Sequence, residues 1–385
     1  MAHDIDIMVI PSTVGPPRFL MQEGGTWRNM GVSSRGSRAG ISMQDIQRFV
    51  QQQLKQLMVQ VEHHPPPADA PILTELYTHL YQLIIPENLQ ELLQCGTSMK
   101  PEKPKTIRLH VSEDFDWIPW EIMLDQDDFL GMHFLISRLP ITEAGPNVKT
   151  KKPRKVTNIH NLLGGGVLNG VTEHAELHSA WETMFEPAME ATAEVTRIPV
   201  SSTVEAAEWP NTGAFKKAMT ADIVHLTCHG LTAAEMQARL PGNGGAMLGN
   251  SPCWILDMDQ LVASWYQVSP SLIKGLNLYD NMPLVFGNAC ASAAGGNTET
   301  ELGWGFGQTL YTRGAIAFVG TIAPVRIPLA IAFASEFYRR LLAHNLPIAE
   351  ALWETRWHFR DAKNTDPSYL FYCLYGSPDT RFQLV

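Results

Sequence analysis

Two short stretches carry the residues best suited to chemistry. Residues 222–230 pass through Ile223, Val224, His225 and Leu226 to His229 and Gly230, and residues 283–292 pass through Leu284, Val285 and Phe286 to Asn288 and Cys290. Each reads as a buried strand that leaves its sheet through glycine or other small residues. An imidazole at one strand end and a thiol at another are the parts of a Cys-His nucleophile, in which the ring takes the thiol proton and the thiolate attacks a carbonyl. Sites in open α/β sheets form outside the carboxyl ends of the strands, so parallel neighbouring strands would bring His229 and Cys290 together. Glycine after the histidine lets a backbone N–H approach a substrate closely, and the N–H groups of Gly230 and Cys290 are candidate donors to an oxyanion.

Other readings of these residues are weaker. Side chains alternate along a strand, which turns Cys228 to the face opposite His229 and into the core. His225 shares the face of His229 but lies four residues back, roughly 13 Å at strand spacing, and reads as a packed core histidine. A zinc site from Cys228, His229, Cys253 and Cys290 lacks the Cys-x-x-Cys or His-x-x-x-His spacing of such sites, so no metal is expected. The glycine-rich run from Gly164 to Gly170 misses both the dinucleotide and the P-loop patterns and reads as a tight turn, so no cofactor is expected. A free cysteine by itself is most often a small buried hydrophobe. It is the second strand end, at His229 and Gly230, that favours catalysis for Cys290. Asp257, Asp259 and Asn288 are candidates to line the pocket that reads the residue before a cleaved bond, where acids would favour Lys or Arg. Aspartates are more commonly just exposed.

The elements that must position these residues follow from periodicity. With 385 residues, 45% of them hydrophobic, the chain can build two lobes. Residues 6–10 read as a first strand, and the Gly-, Arg- and Ser-rich stretch through Gly40 as an exposed loop. Apolar residues from Ile46 to Val61 recur at helical steps behind a Ser42 cap, further helices are predicted over 72–84 and 88–94, and a strand over 106–111. The basic run 148–155 is the sharpest change in composition and reads as a solvated linker between a lobe at 1–147 and a lobe at 156–385. Beyond it, strands are predicted at 156–163, 194–200, 223–228, around Trp254, and at 284–287, 315–319 and 370–374. Helices are predicted at 173–185, 212–219, 259–265, 303–312, 329–342 and 348–359. This alternation predicts an α/β fold with a mostly parallel central sheet. A net charge of −10 argues against a nucleic-acid partner, which needs a basic surface. The first residues are acidic where a signal peptide is basic, no apolar run is long enough to span a bilayer, and five cysteines do not suggest a disulfide framework. A cytoplasmic protein with reduced thiols and no membrane partner is expected.

At these residues the sequence resembles the CHAT family, caspase-like cysteine peptidases of the clan that includes caspases, metacaspases and separase. Asp222–Gly230 is similar to the family's histidine strand and Pro283–Ser292 to its cysteine strand. Gly303–Gln308 and Gly314–Thr321 are similar to the helix, glycine and strand that follow, and Leu374–Pro378 to the usual ending. Ile118–Glu121 and Phe134–Arg138 are similar to the block that precedes the catalytic half. The resemblance covers most of the chain and is strongest after Val156. It implies a caspase-like three-layer sandwich preceded by an inactive caspase-like lobe, with His229 as general base and Cys290 as nucleophile. The family orients its histidine partly through backbone, so no third side chain is required. It further implies a cysteine endopeptidase that cuts a specific protein substrate and is controlled by a separate regulatory protein, as in bacterial antiviral defence or stress responses. The alternative is a catalytically silent caspase-like scaffold that binds a partner, against which the intact His229 and Cys290 speak. Ala291, Ser292 and Ala293 stand where many members carry an acidic residue, and the excursion from Leu231 to Asn250 is long enough to cover the site until a partner moves it.

Overall fold

Ile5, Ile7 and Val9 alternate with more exposed neighbours and bury one face of strand β1 (Ile5–Ile10). Gly24 and Gly25, with φ of +68° and +99°, make the tight turn between β2 (Arg18–Glu23) and β3 (Thr26–Val32), a backbone conformation that other residues resist. The stretch expected to be an exposed loop is therefore a hairpin as far as Val32, with Phe19 and Met21 turned into the core. The structure, a computed structural model, describes residues 4–11, 17–32, 45, 48, 49, 71–125, 128–141, 152–163, 165–166, 194–199, 212–227, 229–231, 253–259, 264–268, 273, 275–288, 296–298, 301–303, 305–323, 325–362 and 366–384. Most of the helix predicted behind Ser42, the helix predicted at 173–185 and residues 148–151 of the linker lie outside them.

The first half continues through α1 (Pro71–Ile84), the short α2 (Glu87–Gln90), β4 (Lys105–Val111), the single turn α3 (Leu130–His133) and β5 (Phe134–Pro140). The second half contains β6 (Arg154–Val156), β7 (Asn158–Leu163), β8 (Gly165–Gly166), β9 (Glu194–Pro199), α4 (Thr212–Ala218) and β10 (Ile223–Thr227). There follow β11 (His229–Leu231), β12 (Cys253–Asp259), β13 (Ser264–Val268), β14 (Leu284–Asn288), β15 (Gly296–Thr298), β16 (Glu301–Gly303) and α5 (Phe306–Thr312). The chain closes with β17 (Ala317–Thr321), α6 (Ile327–Tyr338), α7 (Ile348–Asp361), β18 (Tyr372–Gly376) and β19 (Phe382–Leu384).

An 11-stranded sheet runs through both halves in the order β3-β2-β1-β4-β5-β18-β17-β14-β10-β7-β9. Its neighbours are parallel except at β3-β2, β2-β1 and β18-β17. Strands covered on both faces read as unbroken apolar runs, and β14 and β17 are buried at every position. The predicted α/β class with a mostly parallel central sheet is thus observed. Three local expectations are corrected. Asp259, Ser264 and Trp265, expected in a helix over 259–265, belong to the antiparallel strands β12 and β13, because a window that short cannot establish a helical period and Trp265, Tyr266 and Val268 suit a strand. Gly165 and Gly166, expected in a tight turn, pair with β12. Arg154 and Lys155, expected in a solvated linker, form β6 against β19, with Arg154 Nη2 3.8 Å from Asp222 Oδ1.

The halves meet where β5 pairs with β18, Arg138 opposite Tyr375. Arg138 has no exposed surface. Its Nη2 donates to Glu121 Oε2 at 2.6 Å and to Ile118 O at 3.0 Å, its Nε to Glu121 Oε1 at 3.2 Å, and its Nη1 to Asp116 O at 2.5 Å. Tyr375 closes the cluster by donating to Asp116 Oδ2 at 2.8 Å. Helix α7 adds a second set of contacts. Trp353 and Trp357 both donate to Met132 O, at 2.6 and 2.8 Å, and Arg356 donates to Gly131 O at 3.1 Å. Removing one member of a buried ion cluster strands the others, so Arg138→Met is expected to lower the unfolding free energy by about 3–5 kcal/mol in urea titrations. Wild-type stability in that variant would contradict this account of the seam.

Candidate active site

Strands β10 and β14 are parallel neighbours in the centre of the second half, the condition under which their carboxyl ends come together. Their register pairs Ile223 with Leu284 and continues to Thr227 with Asn288. Neighbouring strands lie about 4.8 Å apart, so the two end level at the same carboxyl edge. His229 and Cys290 are each the second residue beyond that last pair in sequence.

At this edge the chain changes sheets. β10 ends at Thr227, and β11 begins at His229 in a second sheet ordered β11-β12-β13, with β8 also paired to β12. His229 lies opposite Ile255 and Gly230 opposite Trp254, so β12 sets the register of both. Asp257 and Asp259 are on β12, paired with Tyr266 and Ser264 of β13. Part of the permissive loop expected after the cysteine strand is a hairpin, β15 against β16. Cys290, Cys228, residues 232–250 and residues 291–293 lie outside the described residues.

The side chains behind this edge are buried. His225 stacks on Phe286 with ring centroids 5.2 Å apart, and its Nδ1 lies 3.3 Å from the Tyr338 hydroxyl. Burial pushes its pKa down to about 3, so it is a neutral core histidine, in keeping with its place one turn of the pleat away from the strand end. Asn288 is buried too: its Nδ2 donates to Ala330 O at 3.0 Å, and its Oδ1 accepts from the Tyr372 hydroxyl at 2.9 Å. Sequence reasoning passed over Tyr372, although a tyrosine opening an apolar strand signals a hydroxyl that needs a partner. Burial, with Glu121 and Asp116 adding to it, pushes the Cys373 thiol well above its ordinary pKa, which disfavours it as a rival nucleophile. Among the described residues no three His, Cys, Asp or Glu side chains gather as a metal ion requires, and no helix is long and apolar enough to cross a membrane.

A family model described as the CHAT domain matches residues 74–378. No curated protein matches the chain by sequence. Two crystal structures of the Saccharomyces cerevisiae separase–securin complex are similar at 13% identity, with TM-scores of 0.51 and 0.52, each over 98% of this chain and 30% of the matched chain. The chain therefore spans under a third of the length of those relatives. A crystal structure of the Arg-specific cysteine proteinase gingipain R is similar at 10% identity over 78% of this chain and 69% of its own, with a TM-score of 0.45. At such identity the separase likeness shows the fold, a caspase-like α/β sandwich.

The buried His225 generates a pH dependence. Between about pH 3 and its ordinary value of 6.5 the unfolded chain binds a proton there that the native chain does not. Stability therefore falls as pH drops through that window, by up to about 1.4 kcal/mol per pH unit. His225→Phe is expected to make the acid limb of the stability profile shallower in urea titrations across that range, and an unchanged slope would contradict the assignment.

Proposed function

Because the chain belongs to the CHAT domain family, we propose that it is a cysteine endopeptidase that cuts a specific protein substrate, with Cys290 as nucleophile and His229 as general base. The observation that supports this most is the level ending of β10 and β14, from which His229 and Cys290 follow at equal steps. In this reading His229 takes the thiol proton of Cys290, and the thiolate adds to the substrate carbonyl. The N–H groups of Gly230 and Cys290 donate to the oxyanion, and His229 returns the proton to the leaving amine. Water, deprotonated by the same ring, then releases the acyl group and restores the thiol. Pairing of β11 with β12 supports a rigid backbone at Gly230, which is what preorganised oxyanion stabilisation requires.

Asp257 and Asp259, on the strand beside β11, are the pocket residues of this reading and favour Lys or Arg before the cut. Asn288, expected in this pocket from the sequence, has its amide engaged by Ala330 and Tyr372 and is a core residue in this reading. We read residues 1–147 as an inactive caspase-like lobe and residues 156–385 as the catalytic one; each half's own run of parallel strands in the common sheet supports the division. Control by a separate protein, in a cytoplasmic defence or stress response, completes the reading. The separase structures are likewise of a complex, with securin.

Mapping new protein N-termini after incubation with candidate substrate proteins tests the activity. Wild type is expected to create a defined set that Cys290→Ala and His229→Ala each lower at least about a thousandfold. Undiminished cleavage by Cys290→Ala would end the proposal.

A further inference from the structure

Asn288 is the last residue of β14, Cys290 follows it by two positions in the sequence, and the Asn288 amide is spent on core partners. One of them, Tyr372, opens β18 opposite Thr321 of β17, and β17 lies between β18 and β14. The phenol thus reaches across a whole strand, two spacings or about 9.6 Å, to the end of β14. Phe333 of α6 holds it flat, with ring centroids 3.9 Å apart and planes within 2° of parallel. The backbone oxygen of Tyr372 accepts from Arg356, which also donates to Gly131 O in the first half of the chain. A line of contacts therefore runs from the first half through α7 and β18 to Asn288. Buried amides and phenols are costly unless paired, and apolar residues would fill this core more cheaply. Placing both here ties the end of β14 to two neighbouring elements.

We propose that Tyr372 is a positioning residue for the reaction: through Asn288 it fixes how β14 delivers Cys290 to the imidazole of His229. This rests on the Cys-His reading above. Tyr372 supplies geometry rather than a proton, and geometry matters because a misplacement of about 1 Å costs roughly a hundredfold in rate.

The test uses the full chain and iodoacetamide, with alkylated Cys290 quantified by peptide mass spectrometry from about pH 5 to pH 10. The wild-type midpoint is expected below the ~8.5 of a free thiol. Tyr372→Phe keeps the stack on Phe333 and is expected to raise the midpoint and slow alkylation at neutral pH roughly tenfold. Asn288→Ala keeps the test alive should that variant not fold, and is expected to behave alike. The double variant is expected to be no slower than Asn288→Ala alone, since that single change already removes the Tyr372–Asn288 contact. A His229-dependent midpoint left in place by the folded variants overturns the tether alone. A wild-type midpoint at the free-thiol value, unmoved by His229→Ala, overturns both the dyad and the tether.

Discussion

The molecule depends on burying a guanidinium at the join of its two halves. Burial opposes the charge of Arg138, yet Glu121 foremost, and then neighbouring acidic groups, hold its pKa well above the ordinary value. Such a charge is tolerated only where its donors are engaged, and here the Glu121 carboxylate and two backbone carbonyls take four of the five, with Asp116 Oδ1 3.5 Å from Nη1. Glu121 and the two carbonyls come from residues 116–121, ahead of β5, so the first half wraps its own chain around the Arg138 guanidinium at the seam with Tyr375. The cost falls on Asp116, whose carboxyl is pushed up to about 6 by burial, with Arg138 pulling the other way. Because the cluster reaches across the β5–β18 seam, the halves share one core and one sheet.

That constraint carries inward. β18 is antiparallel to β17, and β17, β14 and β10 then run parallel, so fixing β18 against the first half fixes the strands next to the candidate site. The layer behind them is aromatic. Phe286 packs against His225, Phe337, Tyr338 and Tyr372, which leaves β14 little freedom to slide. Rigidity behind and a change of sheet in front are what a preorganised site needs: β14 holds its end still while β11 leaves at His229 to pair elsewhere.

How much of this was legible in the sequence varied with the range of the interaction. β10 and β14 announced themselves through mostly apolar runs, interrupted in β10 by His225, because strands covered on both faces need them, and a parallel sheet followed from the alternation around them. The β2–β3 hairpin was missed although Gly24 and Gly25 carry its signal; the arginines and glycines nearby drew the reading towards a loop. The strand expected around Trp254 is β12, whereas the strand β13 stood where a helix was expected, since a window of five to seven residues does not fix a period. The seam was invisible as physics. Ile118–Glu121 and Phe134–Arg138 stood out only through family resemblance, and nothing local states that Arg138 and Glu121 pair across 17 positions. Of the candidate site, the packed role of His225 could be read from strand periodicity, which also proposed His229 and Cys290 from their places beyond the two strand ends. The engagement of Asn288 could not, because Tyr372 comes to it 84 positions later and across an intervening strand.

The central claim is that the ends of β10 and β14 assemble one nucleophile, and a crystal structure of the protein trapped with a peptidyl chloromethyl ketone tests it most directly. The account predicts a single covalent bond to Cys290 Sγ, a ring nitrogen of His229 within about 4 Å of the adduct, and the inhibitor oxygen facing the N–H groups of Gly230 and Cys290. A label on another cysteine, or a Cys290 adduct with the His229 ring turned away from it, would contradict the account.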